Sequence, residues 1–506
     1  MARTIDRFVG LISPSSQLSR IDARQKVAFA YDAARKLRDR GYPDRLRNPE
    51  NPLQQRDNII VMRSSRELVE NSGFFKSIRN KIRDYTIGNT RYFPQTGNMM
   101  IDGATKEWLE HWYANCDATG RFHFIDIINI LLSSTLTDGD HGLSHIVDEH
   151  LNYRIQAIEA DRIGNPHDTG STDPTYIRGV VLNGGQPVGY RIYQRSLHDH
   201  YTFEQEIPAE SFTHYYRPDR YDQYRGVSAF ASVVGLYRDV KEVRRAEIMA
   251  IKWAGSKAGF IKTQNGTMPE TLLDRSNTIG GDFGKQITQI APGEIVYGSP
   301  GDELSVISHD RPNPNLMAFM ESLLHEGALG LDLPYAFVYN LTGLTGTPTR
   351  LVSEQAKRTF QAWQHHLERN VLRPVINRAI ISGVAQGHIP WSDTWDKGKF
   401  IFPAHPTVDV GRESQANLNE NRQALRSAAD IYGEQGKYWR EEQDQISAEA
   451  GNIIDLAKQV AEQKGVPFNT ALNLIQMMTP NGASEATAGK EPSAPGSEES
   501  TNTLKP

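Results

Sequence analysis

The chain has 506 residues, enough to bury a substantial core and to form more than one domain. Its composition, 38% hydrophobic and 23% charged, is that of an ordinary, slightly polar soluble protein, and no apolar run of about 18 residues is present, which excludes a transmembrane helix. A net charge of −5 argues against tight DNA gripping, and the single cysteine, Cys116, excludes an intramolecular disulfide and a thiolate metal site.

The N-terminus, with Arg3, Asp6 and Arg7 and no long apolar block, does not read as a signal peptide, and a reducing, intracellular place of assembly fits. The charge is uneven. Lys and Arg outnumber Asp in residues 1–47, and acidic residues prevail beyond 413. The basic end suits nucleic acid or an acidic partner; its plain reading is a solvated helical face.

Residues 17–40 carry Ile21, Val27, Ala30, Tyr31, Ala34 and Leu37 at helical spacing and stop at Gly41-Tyr42-Pro43. Residues 45–57, with two prolines, read as a loop. A second helix is predicted over 64–85, a third over 104–115 with Trp108 and Trp112 on one face, and an apolar fourth over 122–137. From 143 to 217 the period changes to two: RIQAIEADRI, IRGVVL, VGYRIYQR and TFEQEIP read as strands, with Asn183-Gly184-Gly185-Gln186 as a hairpin turn. Ser228 is placed as N-cap of a long helix over 228–254. Short strands and Gly-rich turns follow over 255–312, then a helix over 314–331 and a flexible loop over 338–348. A long helix over 350–386 is expected to bend near Pro374. Residues 388–412 are irregular, 415–479 form three or so polar helices, and the tail 481–506 reads as disordered.

The best metal candidate is Thr137-Asp138-Gly139-Asp140-His141 with His145 and His150 nearby. Its spacing matches neither an EF-hand loop nor H-E-x-x-H, and the favoured reading is a helix-to-strand turn capped by carboxylates. Gly280-Gly281-Asp282-Phe283-Gly284-Lys285 has the wrong glycine spacing for a phosphate loop, and Gln286 stands where Ser or Thr is needed. His365 and His366 are adjacent on a helix, so they diverge and cannot chelate one ion; they read as surface or interface residues. No G-x-S-x-G is present, and Cys116 lacks a catalytic partner. The residues thus argue against an enzyme and call for no cofactor.

The most telling stretch is Gly293 to Pro334, GEIVYGSPGDELSVISHDRPNPNLMAFMESLLHEGALGLDLP. It resembles the lambda-type phage portal family, where G-E-x-V-Y, a short hairpin, D-R-P-N-P-N, a helix and G-L-x-L-P-Y mark the end of the clip and the returning stem helix. Colinear words extend the resemblance over about residues 20–465: AYDAARKLRDRGY, RSSRELVENSGFFKSIRNKIRDYTIGN, WLEHWYANCDATGRFHFIDIINILLSSTLTDGD, IQAIEADRI, GQPVGYRIY and IPAESFTHYYRPDRYDQYRGVSAF. TGLTGTPTRLVSEQAKRTF departs from the N-Y-S-S-A-R phrase of relatives.

The resemblance implies an α+β portal fold with wing, stem of two long helices, clip and helical crown, assembling as a ring of about twelve copies by closed cyclic symmetry. On this chain, 1–225 would be wing, 226–254 the outgoing stem helix and 255–312 the clip. Residues 313–335 would be the returning stem helix, 336–349 the tunnel loop, 350–413 the long wing helix and irregular segment, 414–480 the crown and 481–506 the tail. The tunnel-loop candidates are Leu341, Thr342, Gly343, Leu344, Thr345, Gly346 and Thr347, where glycines permit large backbone changes. The channel or stem charges are Arg238, Lys241, Arg244, Arg245, Lys252 and Lys257, set against Asp239, Glu242 and Glu247. The plain alternative is that these charges pair along the helix or between subunits.

The implied function is a non-enzymatic conduit for double-stranded DNA in packaging and ejection, at one vertex of the capsid of a virion assembled in the host cytoplasm. Its implied partners are copies of itself, the large terminase, major capsid and scaffold proteins, and head-completion or tail adaptor proteins, with no membrane. Two other readings stand beside it: a non-portal ring connector of the head–tail junction, and a metal-dependent nucleic-acid enzyme using Asp138, Asp140, His141 and His145.

Overall fold

The computed structural model describes residues 48, 50, 52–167, 173–256, 259–262, 295–298, 314–339, 347–404 and 410–478. The expected helix 17–40, most of the 255–312 region with Gly280–Lys285 and Lys257, the loop residues 341–346 and the tail 481–506 lie outside them.

The fold mixes helices and sheets around one large apolar core and a smaller one. Helix α1 spans Pro52–Asn71 and α2 spans Gly73–Thr86. This corrects two expectations. Pro52 opens a helix where a loop over 45–57 was expected, because proline's missing N–H costs nothing in a first turn. The single helix 64–85 is two, because the Ser72 hydroxyl accepts from the Phe75 backbone N–H and starts a new one. The break turns Phe75 edge-on to Phe230 and Tyr237, and its side chain is buried.

Strand β1 (Arg91–Pro94) precedes α3 (Met99–Asn115) and α4 (Phe124–Asp138). In α3, Trp112 donates to the Tyr153 carbonyl at 2.8 Å and Trp108 to the Ala379 carbonyl at 2.9 Å, so both rings act as packing anchors. In α4, Ile127, Ile128, Leu131, Leu132 and Leu136 are buried. Gly139 ends that helix at φ 107°.

Strands β2 (Asp140–Val147) and β3 (Tyr153–Glu159) follow, then β4 (Tyr176–Ile177), β5 (Val180–Asn183), β6 (Gln186–Arg195), β7 (Tyr201–Pro208) and β8 (Phe212–Tyr216). They form an antiparallel sheet ordered β3-β2-β8 and a meander ordered β4-β5-β6-β7. The Asn183–Gln186 hairpin turn is present, with Gly184 at φ 58° and Gly185 at φ 84°. The β2 and β8 strands escaped the sequence reading; the first half of β2 is buried continuously, so it lacks the two-residue alternation of a half-exposed strand.

Helix α5 spans Val234–Ser256. Ser228 does cap a helix, but a 3-10 turn over Ala229–Ser232, so the long helix starts later than expected. At 1.5 Å per residue its 23 residues extend about 35 Å. Short strands β9 (Gly259–Lys262) and β10 (Ile295–Gly298) pair in parallel. Helix α6 covers Pro314–Leu329 and the short α7 covers Tyr335–Val338. Helix α8 (Thr347–Leu367) runs through a π turn over Glu368–Leu372 into α9 (Arg373–Ala385). The irregularity expected at Pro374 thus lies in the turn before it, where the ring removes the N–H that would have closed an α-turn.

Within the segment expected to be irregular, β11 (Gly398–Ile401) pairs antiparallel with β1. A Cβ on Gly398 would come within 2.2 Å of the Tyr92 ring, which would have to move to admit it. Four helices, α10 (Val410–Arg422), α11 (Ala428–Glu434), α12 (Trp439–Lys464) and α13 (Phe468–Met478), are described where three or so were expected. Phe93 stacks on Tyr438 at 4.2 Å and ties the start of α12 to the β1–β11 pair.

Candidate functional site

Among the described side chains, helices α5 and α6 meet the main core at one end. Val233, at the start of α5, and Ala328, at the end of α6, are buried. Gly330 lies so close to this junction that a Cβ would come within 2.9 Å of Val233. Away from the junction the apolar side chains emerge: Ile248 is 40% exposed, Met249 66%, Ile251 46% and, on α6, Phe319 51%.

The basic residues of α5 divide into two groups. Arg238 donates to the Ser64 hydroxyl at 2.9 Å and Lys241 lies 3.6 Å from Glu67, so both brace α5 against α1. Arg244, Arg245 and Lys252 are exposed and make no ion pair among the described residues. Of the expected loop residues only Thr347 is described, as the first residue of α8.

The Thr137–His141 segment is a helix-to-strand turn whose two carboxylates part company. Asp138 accepts from Arg66 Nε and Nη2 at 2.7 and 2.9 Å. Arg66 also donates to Asp161, which accepts from Arg195 at 2.8 Å and from the Tyr201 hydroxyl at 2.6 Å. Asp140 lies on the other side of Gly139, fully buried, and accepts from Arg225 Nε, from Arg225 Nη2 at 3.1 Å and from the Gly226 N–H at 3.2 Å; His214 Nε2 lies 3.1 Å away. Burial alone would raise the Asp140 carboxyl; Arg225 and His214 outweigh it and hold it well below the usual carboxylate range.

The histidines are equally separate. His141 is buried and pushed down to about 4 by desolvation, against the pull of Asp140. His145 bridges the Tyr153 and Thr213 hydroxyls at 2.7 and 2.8 Å, and burial lowers it to about 3. His150 is exposed. Each carboxylate is therefore saturated by guanidinium donors, and among the described residues no group of three or more metal-ligand side chains converges. His365 is exposed, while His366 is half-buried with its ring 5.2 Å from Tyr215, so the pair splits between surface and core.

Sequence reading missed the partners of these carboxylates, Arg66 and Arg225, and Asp161, which shares Arg66. Arg66 and Arg225 stand 72 and 85 residues from Asp138 and Asp140 in the chain, and no local pattern links them. Two of the words that carried the resemblance, IQAIEADRI and the RGVS of the eighth strand's exit, contain Asp161 and Arg225.

Residues 35–364 match the model of "Phage portal protein, lambda family". A probable portal protein of Halomonas phage phiHAP-1 is 22% identical over 298 residues, covering 54% of this chain and 57% of that protein. The portal protein of Escherichia phage N15 is 20% identical over 341 residues, covering 58% and 64% respectively. The matches thus span less than two thirds of these curated relatives. Among solved structures, a chain in the neck of an empty gene transfer agent particle aligns with a TM-score of 0.40 and 12% identity, covering 82% of this chain and 98% of that one. A chain in the virion of the native particle aligns with a TM-score of 0.39 and 13% identity, covering 82% and 98%. With the family model matched across more than half its length, the chain belongs to the lambda family of phage portal proteins.

Proposed function

We propose that this chain is the subunit of a portal ring of about twelve copies, closed by cyclic symmetry at one vertex of a phage capsid. The ring is the conduit for double-stranded DNA in packaging and ejection. It docks the terminase and later the head-completion or tail proteins, and it hydrolyses nothing itself. The observation that carries this reading is the family match over residues 35–364.

Under this proposal 226–254, with most of α5, is the outgoing stem helix, 255–312 the clip, 313–335, with α6, the returning stem helix, and 336–349, with its candidate residues 341–347, the tunnel loop. Residues 1–225 and 350–413 form the wing, and 414–480 the crown. Neighbouring subunits cover Ile248, Met249, Ile251 and Phe319. Arg244, Arg245 and Lys252 recur around the axis, mixed with Asp239 and Glu242. Mixed sign suits a channel in which DNA slides, because every neutralised phosphate adds salt-dependent affinity and hence drag. The metal-dependent enzyme reading needs Asp138, Asp140, His141 and His145 to converge; Arg66 and Arg225 hold the two carboxylates apart.

The test is negative-stain electron microscopy of the purified chain with native mass on the same sample. Rings with an axial hole and a mass near about twelve chains, each of 56.8 kDa, are expected. A monomer that holds stoichiometric metal and cleaves DNA would overturn the reading.

A further inference from the structure

Helices α1, α2 and α4 with strands β3 and β6 line an open cleft of about 470 Å³, within the range of ligand-binding clefts. Its charges are unevenly paired. At one end Arg66 and Arg195 are matched by Asp138, Glu159 and Asp161. At the other, Arg79 and Arg83 stand one turn apart on α2, where like charges repel. Arg79 is half-buried, and its only hydrogen-bond partner among the described residues is the neutral Oδ1 of Asn80, 3.1 Å from Nη2 and 3.4 Å from Nε. Arg83 pairs with its exposed neighbour Asp84, and an ion pair at the surface contributes little. Burial, then repulsion from Arg83, lowers the Arg79 guanidinium below its ordinary value despite Asp138.

From α4, Asn129, Ser133 and Thr137 line the same cleft at four-residue spacing, so they share one face of the helix. The Thr137 hydroxyl is used, donating to the Ser133 carbonyl at 2.9 Å. The Asn129 amide and the Ser133 hydroxyl make no hydrogen bond among the described residues. Ile130, 39% exposed, adds an apolar side chain beside them. No aromatic ring is among the lining residues.

We infer that this cleft binds an acidic segment of a partner protein: a carboxylate of the segment seats on Arg79 and Arg83, and the Asn129 amide and Ser133 hydroxyl take up its backbone groups. A guanidinium fork matches a carboxylate bidentately, and a side-chain amide carries both the donor and the acceptor that a peptide unit requires. The added negative charge relieves the repulsion between the two arginines. A nucleic-acid strand fits less well. It finds no ring on which a base can stack, and Asp138 and Glu159 stand in the same cleft against its successive phosphates. A peptide brings its charge singly and can leave the paired end of the cleft undisturbed.

The experiment uses the full chain and fluorescein-labelled pentaglutamate, read by fluorescence anisotropy at fixed ionic strength. Saturable binding is expected, with unlabelled pentaglutamine unable to displace the probe. R79Q should weaken binding about tenfold, the scale of one lost charge-assisted bond. Should R79Q fail to fold, R79K keeps the charge without the fork and should still lose affinity. N129A should weaken binding severalfold; unchanged affinity in N129A would reduce the cleft to a bare anion site and overturn the peptide reading. No binding by the parent chain, or binding unchanged in the Arg79 variants, overturns the proposal. So does a short DNA duplex that binds the parent chain more tightly than the peptide and loses that affinity in R79Q.

Discussion

His141 shows how burial sets the chemistry of a single side chain. In the sequence it is a candidate metal ligand beside Asp138, Asp140 and His145, second to the reading of a carboxylate-capped turn; in the fold it is buried, and desolvation keeps it neutral down to about 4. A histidine whose folded pKa lies below its unfolded value of about 6.5 takes up its proton more readily when unfolded. Stability is therefore full above about pH 6.5 and is lost as the pH falls toward 4. The loss should approach about 3 kcal/mol for this one group, at 1.36 kcal/mol per pH unit. Urea unfolding measured at pH steps across that window checks it: His141→Asn should flatten the slope by close to one proton. An unchanged slope would mean that the ring is solvated in the native state. Asp161, held at about 2 by Arg66 and the Tyr201 hydroxyl against the upward push of burial, adds a second limb at lower pH.

At the scale of elements, junctions decide more than helices do. Gly139, at φ 107°, connects α4 to β2 against the chain at Gly226–Val227, and a Cβ there would sit 2.7 Å from that backbone. Backbone cannot move aside as a side chain can, so Gly139→Ala should cost more than about 2 kcal/mol. Gly184, at φ 58° with nothing within 4 Å of its Cβ position, is the contrast: Gly184→Asn should stay within about 0.5 kcal/mol, because Asn tolerates the left-handed region. Chemical denaturation of the two variants side by side checks both. The hairpin at Gly184 was legible because its signal is local, two glycines between alternating strands. The break at Ser72 was not, because apolar spacing continues through it and only the capping hydroxyl reveals it. The β1–β11 pairing joins Arg91 to Ile401, and the Asp140–Arg225 bond spans 85 residues; neither leaves any trace in local periodicity. Arg238 and Lys241 were legible as a basic face, but their partners Ser64 and Glu67 belong to a helix whose contact with α5 only tertiary packing reveals.

For the whole molecule, the decisive feature is what the single chain leaves uncovered. Ile248, Met249 and Ile251 stand out on α5 away from the core, where the pair with α6 no longer shields them. Each apolar side chain moved out of water contributes about 1.5–3 kcal/mol, and a closed ring repeats that contribution at every interface. A charge placed in such a seam must be desolvated without a partner, at a cost that exceeds the gain from the contact it replaces. Ile251→Glu, whose neighbour one turn back is Glu247 and not a cation, should therefore leave the folded chain intact, since the side chain is already exposed in it, while shifting native mass from ring to monomer. Circular dichroism and melting temperature near the parent values, with the ring species lost, is the expected pair of results. Rings of unchanged mass would show that this face of α5 is not buried between subunits.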